Sequence, residues 1–205
     1  MARLQALADT ARHCVSSSAM ADHPLPKPDD ASLHEAALRY LARYAASRVG
    51  VTRVLDRRVA RWAREAAGVE PEQVLELRAA VRRVVDRLEK SGLINDALYA
   101  ASRARSLTKA GRSRRAVAAH LGARGIGGAV AAEALPQSEE DELAACIILV
   151  RRRRLGPFAA EGREVDRMKA LGVLARAGFA QSVAQRALDM DIEEAEERVI
   201  RLRQD

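Results

Sequence analysis

One short phrase recurs in this chain and limits what it can fold into. Leu88-x-x-x-Gly92-Leu93, Leu121-x-x-x-Gly125-Ile126 and Leu174-x-x-x-Gly178-Phe179 share one grammar: a leucine, a glycine four residues on, then an apolar residue. In the last two copies the match continues, with Ile126, Val130 and Leu135 answering to Phe179, Val183 and Leu188. Such a phrase describes the end of a helix. The leucine packs near the helix end, the glycine takes the left-handed conformation that side chains resist, and the next apolar residue tucks back while a new helix starts. Glycine after a helix is common, so one copy would say little. Three copies imply stacked helix–turn–helix units.

The remaining punctuation agrees. Ser32-Leu33-His34-Glu35 reads as a capping box opening a first helix, continued by Leu38, Leu41 and Ala45. Thr52 is the expected N-cap of a second helix, in which Leu55, Val59 and Trp62 define one apolar face. Further helices are predicted at about 71–90, 96–109, 114–122, 128–134, 139–154, 164–177, 181–188 and 192–203. No segment alternates with period two for long enough to make a strand, so the fold class is all-α. Aromatic residues are only 3% of the chain, which leaves narrow stripes of Leu, Val and Ala and suits thin helical layers.

Residues 1–31 read as a disordered appendage, with Ser16-Ser17-Ser18 and a proline-rich stretch around Pro24, Pro26 and Pro28. Met20, just ahead of that stretch, offers an alternative start, and the N-terminus lacks the apolar core of a signal peptide. No apolar run reaches the roughly 18 residues of a membrane span. The two cysteines, Cys14 and Cys146, lie in unrelated contexts, with neither a zinc spacing nor a disulfide framework. A soluble, cytoplasmic, monomeric protein is expected. Cys146, between Leu143 and Ile147, reads as a buried small hydrophobe.

The net charge is +7, carried mainly by arginine, whose planar fork matches phosphate and carboxylate. Two basic stripes are candidate contact faces. Between Arg39 and Arg64 stand eight arginines and one acid, with Arg53, Arg57, Arg61 and Arg64 at helical spacing. From Arg103 to Arg124 there are seven basic residues and no acid; here the candidates are Arg105, Lys109, Arg112, Ser113, Arg114, Arg115 and Arg124. Arg114 and Arg115 follow the expected N-cap Ser113, where cations oppose the helix dipole at a cost on the order of 0.3–1 kcal/mol. That turn would aim amides and guanidiniums together at an anion, and it is the preferred contact site. Arg151–Arg154 ends a helix that begins with Glu139-Glu140-Asp141-Glu142, a placement that suits the helix dipole and is less informative about contact. The four histidines lie apart, and no phosphate loop, metal spacing or nucleophile elbow occurs, so neither an enzyme nor a cofactor is expected.

The stretch Gly92-Leu93-Ile94-Asn95-Asp96-Ala97-Leu98-Tyr99-Ala100, then Gly111-Arg112-Ser113-Arg114-Arg115-Ala116-Val117 and Leu121-Gly122-Ala123-Arg124-Gly125-Ile126, resembles the RecX family, bacterial regulators of the RecA recombinase. Tyr40-Leu41-Ala42-Arg43-Tyr44 and Leu174-Ala175-Arg176-Ala177-Gly178-Phe179 carry weaker echoes, so the likeness spans about residues 33–203. Asn95 stands where aspartate is usual, and Ala180 where a polar cap is usual. The resemblance implies tandem three-helix repeats stacked into an elongated, curved molecule, divided here as 32–70, 71–136 and 137–205. It also implies a negative regulator that binds the groove of the RecA–DNA filament and lowers its ATPase and strand-exchange activity, touching DNA through phosphates if at all. The competing expectation is a helix-turn-helix transcriptional regulator. Against it, no unit carries the Asn/Gln/Arg mixture that reads base edges.

Overall fold

The computed structural model describes residues 26–160 and 166–204, and most of the expected appendage lies outside them. Within the described residues the chain forms ten α-helices, one short 3-10 turn and no strand. They are α1 (Asp30–Leu41), α2 (Arg48–Glu65), α3 (Pro71–Lys90), α4 (Asp96–Lys109), α5 (Arg114–Ala123), α6 (Gly128–Ala134), α7 (Glu139–Arg153), α8 (Arg167–Arg176), α9 (Gln181–Asp189) and α10 (Ile192–Gln204), with the 3-10 turn at Gly156–Phe158. The first helix starts earlier than expected: Asp29 accepts from the Ser32 amide at 2.8 Å and Ser32 Oγ accepts from the Asp29 amide at 3.0 Å. Ser32 therefore closes the capping box instead of opening it, and α1 begins at Asp30, capped by Asp29.

Three separate cores divide the chain. The first joins Leu33 and Ala37 of α1, the stripe Val51, Leu55, Val59 and Trp62 of α2, and the stripe Leu77, Val81, Val84, Val85 and Leu88 of α3. The second gathers Ala100, Ala104, Val117, Leu121 and Ile126 from α4, α5 and the turn after it. The third combines Leu143, Ile147 and Val150 of α7 with Leu174, Phe179, Val183, Ala187 and Val199 of α8 to α10. The expected boundary at 70/71 therefore cuts through the first core. Proline and glycine there mark a turn inside a unit, because the apolar stripe of α3 packs into one core with α1 and α2. Ile94 belongs to the first core, so the division between units falls at Ile94/Asn95. The second unit is small, with few large buried side chains, and a piece that size needs neighbours to stay folded.

The units are joined by one device used twice. Ser47 is the N-cap of α2, five residues before the expected Thr52; its Oγ accepts from the Gly50 amide and donates to the Arg124 carbonyl at 2.8 Å. Arg124 is the C-cap of α5. Ser113 is the N-cap of α5; its Oγ accepts from the Ala116 amide and donates to the carbonyl of Ala177, the C-cap of α8, at 2.7 Å. Both serines are sealed from solvent, at 1% and 0% exposure. A carboxylate of the next unit completes each joint: Asp96 accepts from the Arg48 amide at 2.7 Å, and Glu142 from the Arg114 amide at 2.8 Å. The amino end of each middle helix thus abuts the carboxyl end of the following unit's middle helix, plus end to minus end.

These contacts explain the repeated glycine. Gly125 and Gly178 have φ of +79° and +91°, and each carries its helix's closing turn, with Ile126 donating to the Leu121 carbonyl and Phe179 to that of Leu174. A side chain at either position has no room: a Cβ at Gly125 would lie 2.2 Å from Val49, and one at Gly178 2.7 Å from Ser113 Oγ. The third member of this set is Gly68, after α2, whose Cβ would meet open space. Gly92 instead ends α3, the third helix of its unit, and there Ile94, not Leu93, tucks back onto Leu88. At the far end, α8 is capped by Asp166, which accepts from Met168 and Lys169 amides of its own first turn.

Substituting alanine at Gly68 should cost about 1–2 kcal/mol for the left-handed backbone alone. At Gly125 the overpacking penalty of roughly 1–3 kcal/mol adds to it. Thermal unfolding followed by circular dichroism should therefore show a clearly larger loss for Gly125→Ala than for Gly68→Ala. Equal losses would mean that the joint yields freely.

Candidate functional site

The first basic row lies on the surface. Arg53, Arg57, Arg61 and Arg64 are all exposed along α2, away from the buried Leu55, Val59 and Trp62. Arg57, Arg58, Arg61 and Arg64 line an open cleft of about 500 Å³ with Ala36, Val54 and Ala60. Among the described residues none of these arginines forms an ion pair. Arg58 Nε is buried without a hydrogen-bond partner. Arg53 is partly committed, since its Nη1 donates to the Ala123 carbonyl at 3.0 Å across the first joint.

The second stripe does not form one surface. Arg105 and Lys109 face a cavity of about 230 Å³ bounded by Ala134, Leu135, Pro136 and Leu202, and Lys109 Nζ donates to the Arg203 carbonyl. Arg124 lies with Arg103 beside the first joint, while Arg112 lies at the second. Arg114 and Arg115 are exposed, but the anion foreseen at their turn is already present: it is Glu142, and Ser113 is buried beneath Ala177. Cations opposing the α5 dipole are tolerated because a carboxylate of the same chain occupies that helix end. In the turn chosen from sequence, the Ser113 hydroxyl and the Arg114 amide are therefore engaged in an internal joint, while the Arg114 and Arg115 side chains stay exposed.

Burial raises the Glu142 carboxyl above the ordinary glutamate value, and the Arg114 amide and charge only partly counter it. Burial, followed by the charges of Arg103, Arg124 and Arg112, pushes the His120 imidazole down. A neutral ring fits the contact in which Arg103 Nε donates to His120 Nε2 at 3.1 Å. Cys146 is buried and its thiol is pushed up to about 12, first by burial and then by the Glu142 charge, which leaves it unreactive. No group of His, Cys, Asp and Glu that could hold a metal occurs among the described residues.

Sequence reasoning missed a large apolar cleft of about 890 Å³ between α1 and α4. Its walls include Tyr44, Leu93 and Leu98, exposed at 57%, 55% and 70%, with Tyr40 and Tyr44 rings 5.2 Å apart. Arg103 and Arg124 stand on its rim, and no carboxylate lines it. The available signal was the pair Leu93-Ile94: two apolar residues follow Gly92, and only one can tuck back.

Residues 95–135, α4 to α6 with their flanks, match the family model for the RecX second three-helix domain. A regulatory protein RecX of Myxococcus xanthus is 40% identical over 164 residues, covering 77% of this chain and 84% of that protein. The chain belongs to the RecX family. Its RecX relative from Agrobacterium fabrum is 32% identical over 105 residues, 51% of this chain and 56% of that protein. A crystal structure of regulatory protein RecX matches the fold with a TM-score of 0.55 at 20% identity, over 78% of this chain and 72% of that one. Among the described residues no helix is long and apolar enough to cross a membrane.

The raised Glu142 carboxyl should make the second joint sensitive to pH. Because its folded-state value is raised, the stability tied to its protonated form is complete below the ordinary glutamate range and is lost as pH rises through the raised value. Glu142→Gln keeps an acceptor for the Arg114 amide and removes the titration. The stability of the native protein relative to this variant should fall across that window in urea titrations; a constant difference would exclude the effect.

Proposed function

We propose that this chain is a negative regulator of the RecA recombinase, seating as a monomer in the groove of the RecA–DNA filament and lowering ATP hydrolysis and strand exchange. The observation that carries the reading is family membership at 40% identity across 84% of a relative named regulatory protein RecX. The surface supports it. Linked units present unpaired arginines on α2 and an exposed apolar cleft rimmed by Arg103 and Arg124, a combination suited to an acidic, partly apolar protein surface. Occupancy would suffice as mechanism: a helical stack lodged in the groove obstructs DNA entry and restrains the motion of filament subunits.

A helix-turn-helix reader of duplex sequence is less well supported. In that mode the amino-terminal residues of the second helix approach base edges. Here the amino ends of α2 and α5 are covered by the following unit, with Ser47 and Ser113 buried.

Adding the protein to RecA on single-stranded DNA and following ATP hydrolysis tests the proposal. Inhibition at or below stoichiometric amounts is expected; none would refute it. Arg57→Glu combined with Arg61→Glu should raise the concentration for half-inhibition roughly tenfold, about 1.4 kcal/mol, with unchanged helix content. A discrete footprint on duplex DNA would instead favour the reader.

A further inference from the structure

Beside the second joint lies a groove of about 370 Å³ that carries four arginines and no acid. Arg112 comes from the turn between α4 and α5, Arg152 and Arg153 from the last turn of α7, and Arg176 from the end of α8. Three separate segments thus converge, although only Arg152 and Arg153 are neighbours in sequence. All four side chains are exposed, and among the described residues none is in an ion pair. Among the described residues their side chains make one hydrogen bond, a long one from Arg152 Nη1 to the Ala110 carbonyl at 3.5 Å. Three of the four sit at helix carboxyl ends, where the dipole offsets part of their mutual repulsion. Among the described residues several acids are paired to arginines elsewhere, and none pairs with this cluster.

We propose that this groove binds the phosphodiester backbone of a nucleic-acid strand. Guanidinium forks pair with phosphate oxygens bidentately, and successive phosphates along a strand present the repeated charge that a row of arginines can follow. An acidic peptide fits less well, because the groove offers no exposed apolar anchor: Leu149 is buried and Val173 and Ala177 are half-buried. Contrast with the first joint sharpens the assignment. The equivalent place there, between α1 and α4, is walled by tyrosines and leucines. The inference rests on the filament reading only in that such a filament would bring a strand within reach.

Binding of a labelled 30-nucleotide single strand, and of a duplex of the same length, is measured by fluorescence anisotropy at several salt concentrations without recombinase. Arg152→Gln with Arg176→Gln should weaken single-strand binding at least tenfold near 0.1 M salt. It should also reduce the log–log salt slope by about 1.4, two contacts at about 0.7 each. Arg112→Gln with Arg176→Gln should behave alike, which covers the case that one pair disturbs folding. Arg78→Gln with Arg82→Gln removes the same charge from the exposed face of α3 and should change little. Equal weakening by that control pair, an unchanged slope in the groove variants, or tighter binding of poly-glutamate than of the strand would overturn the proposal. Loss of strand binding with recombinase inhibition intact would bear on the groove alone, whereas absent inhibition with strand binding intact would count against the filament reading alone.

Discussion

A buried hydroxyl that accepts and donates at once holds this molecule together. Every helix end leaves amides or carbonyls without intrahelical partners, and burying such an end requires partners from elsewhere. At each junction a serine meets both needs: it takes the amide of its own first turn and gives its proton to the carbonyl that closes the middle helix of the next unit. Desolvation makes the contact demanding, since removing a partner would strand a buried polar atom at a cost of about 1–3 kcal/mol. The small middle unit depends on this arrangement at both of its ends, by Arg124 and by Ser113.

Most of the helices were legible because their apolar spacing is regular; α3, with Leu77, Val81, Val84, Val85 and Leu88 buried as one stripe, is the clearest. The glycine grammar was also legible, and it does mark left-handed helix endings. What escaped was long-range. Nothing local distinguishes Ser113 as an anion-facing cap from Ser113 as a joint, since the deciding partners are distant: Ala177 lies 64 residues from Ser113, and Glu142 lies 28 residues from Arg114. Ser47 was overlooked because Thr52 is an equally good cap by type. The one available mark was the shared Ser-Arg pair at 47–48 and 113–114. The second basic stripe scattered for the same reason: contiguity in sequence crosses two helices and two junctions.

Both junctions use the same joint, yet they expose different chemistry beside it. At the first, tyrosines and leucines stand open with arginines at the rim; at the second, guanidiniums fill the groove. A repeat constrained by its joints is free to vary in the walls between them, and those walls are where a partner with both protein and polyanion components could be distinguished from either alone.

The cap of α8 is of a different chemical kind from those of α2 and α5. Ser47 and Ser113 each have a proton to pass to a carbonyl, whereas Asp166, at the corresponding helix start, is an ionised acceptor turned onto its own first turn. A carboxylate facing a carbonyl would repel it. Exchanging a hydroxyl for a carboxylate at one position therefore leaves this helix start without the proton that Ser47 and Ser113 pass across their joints.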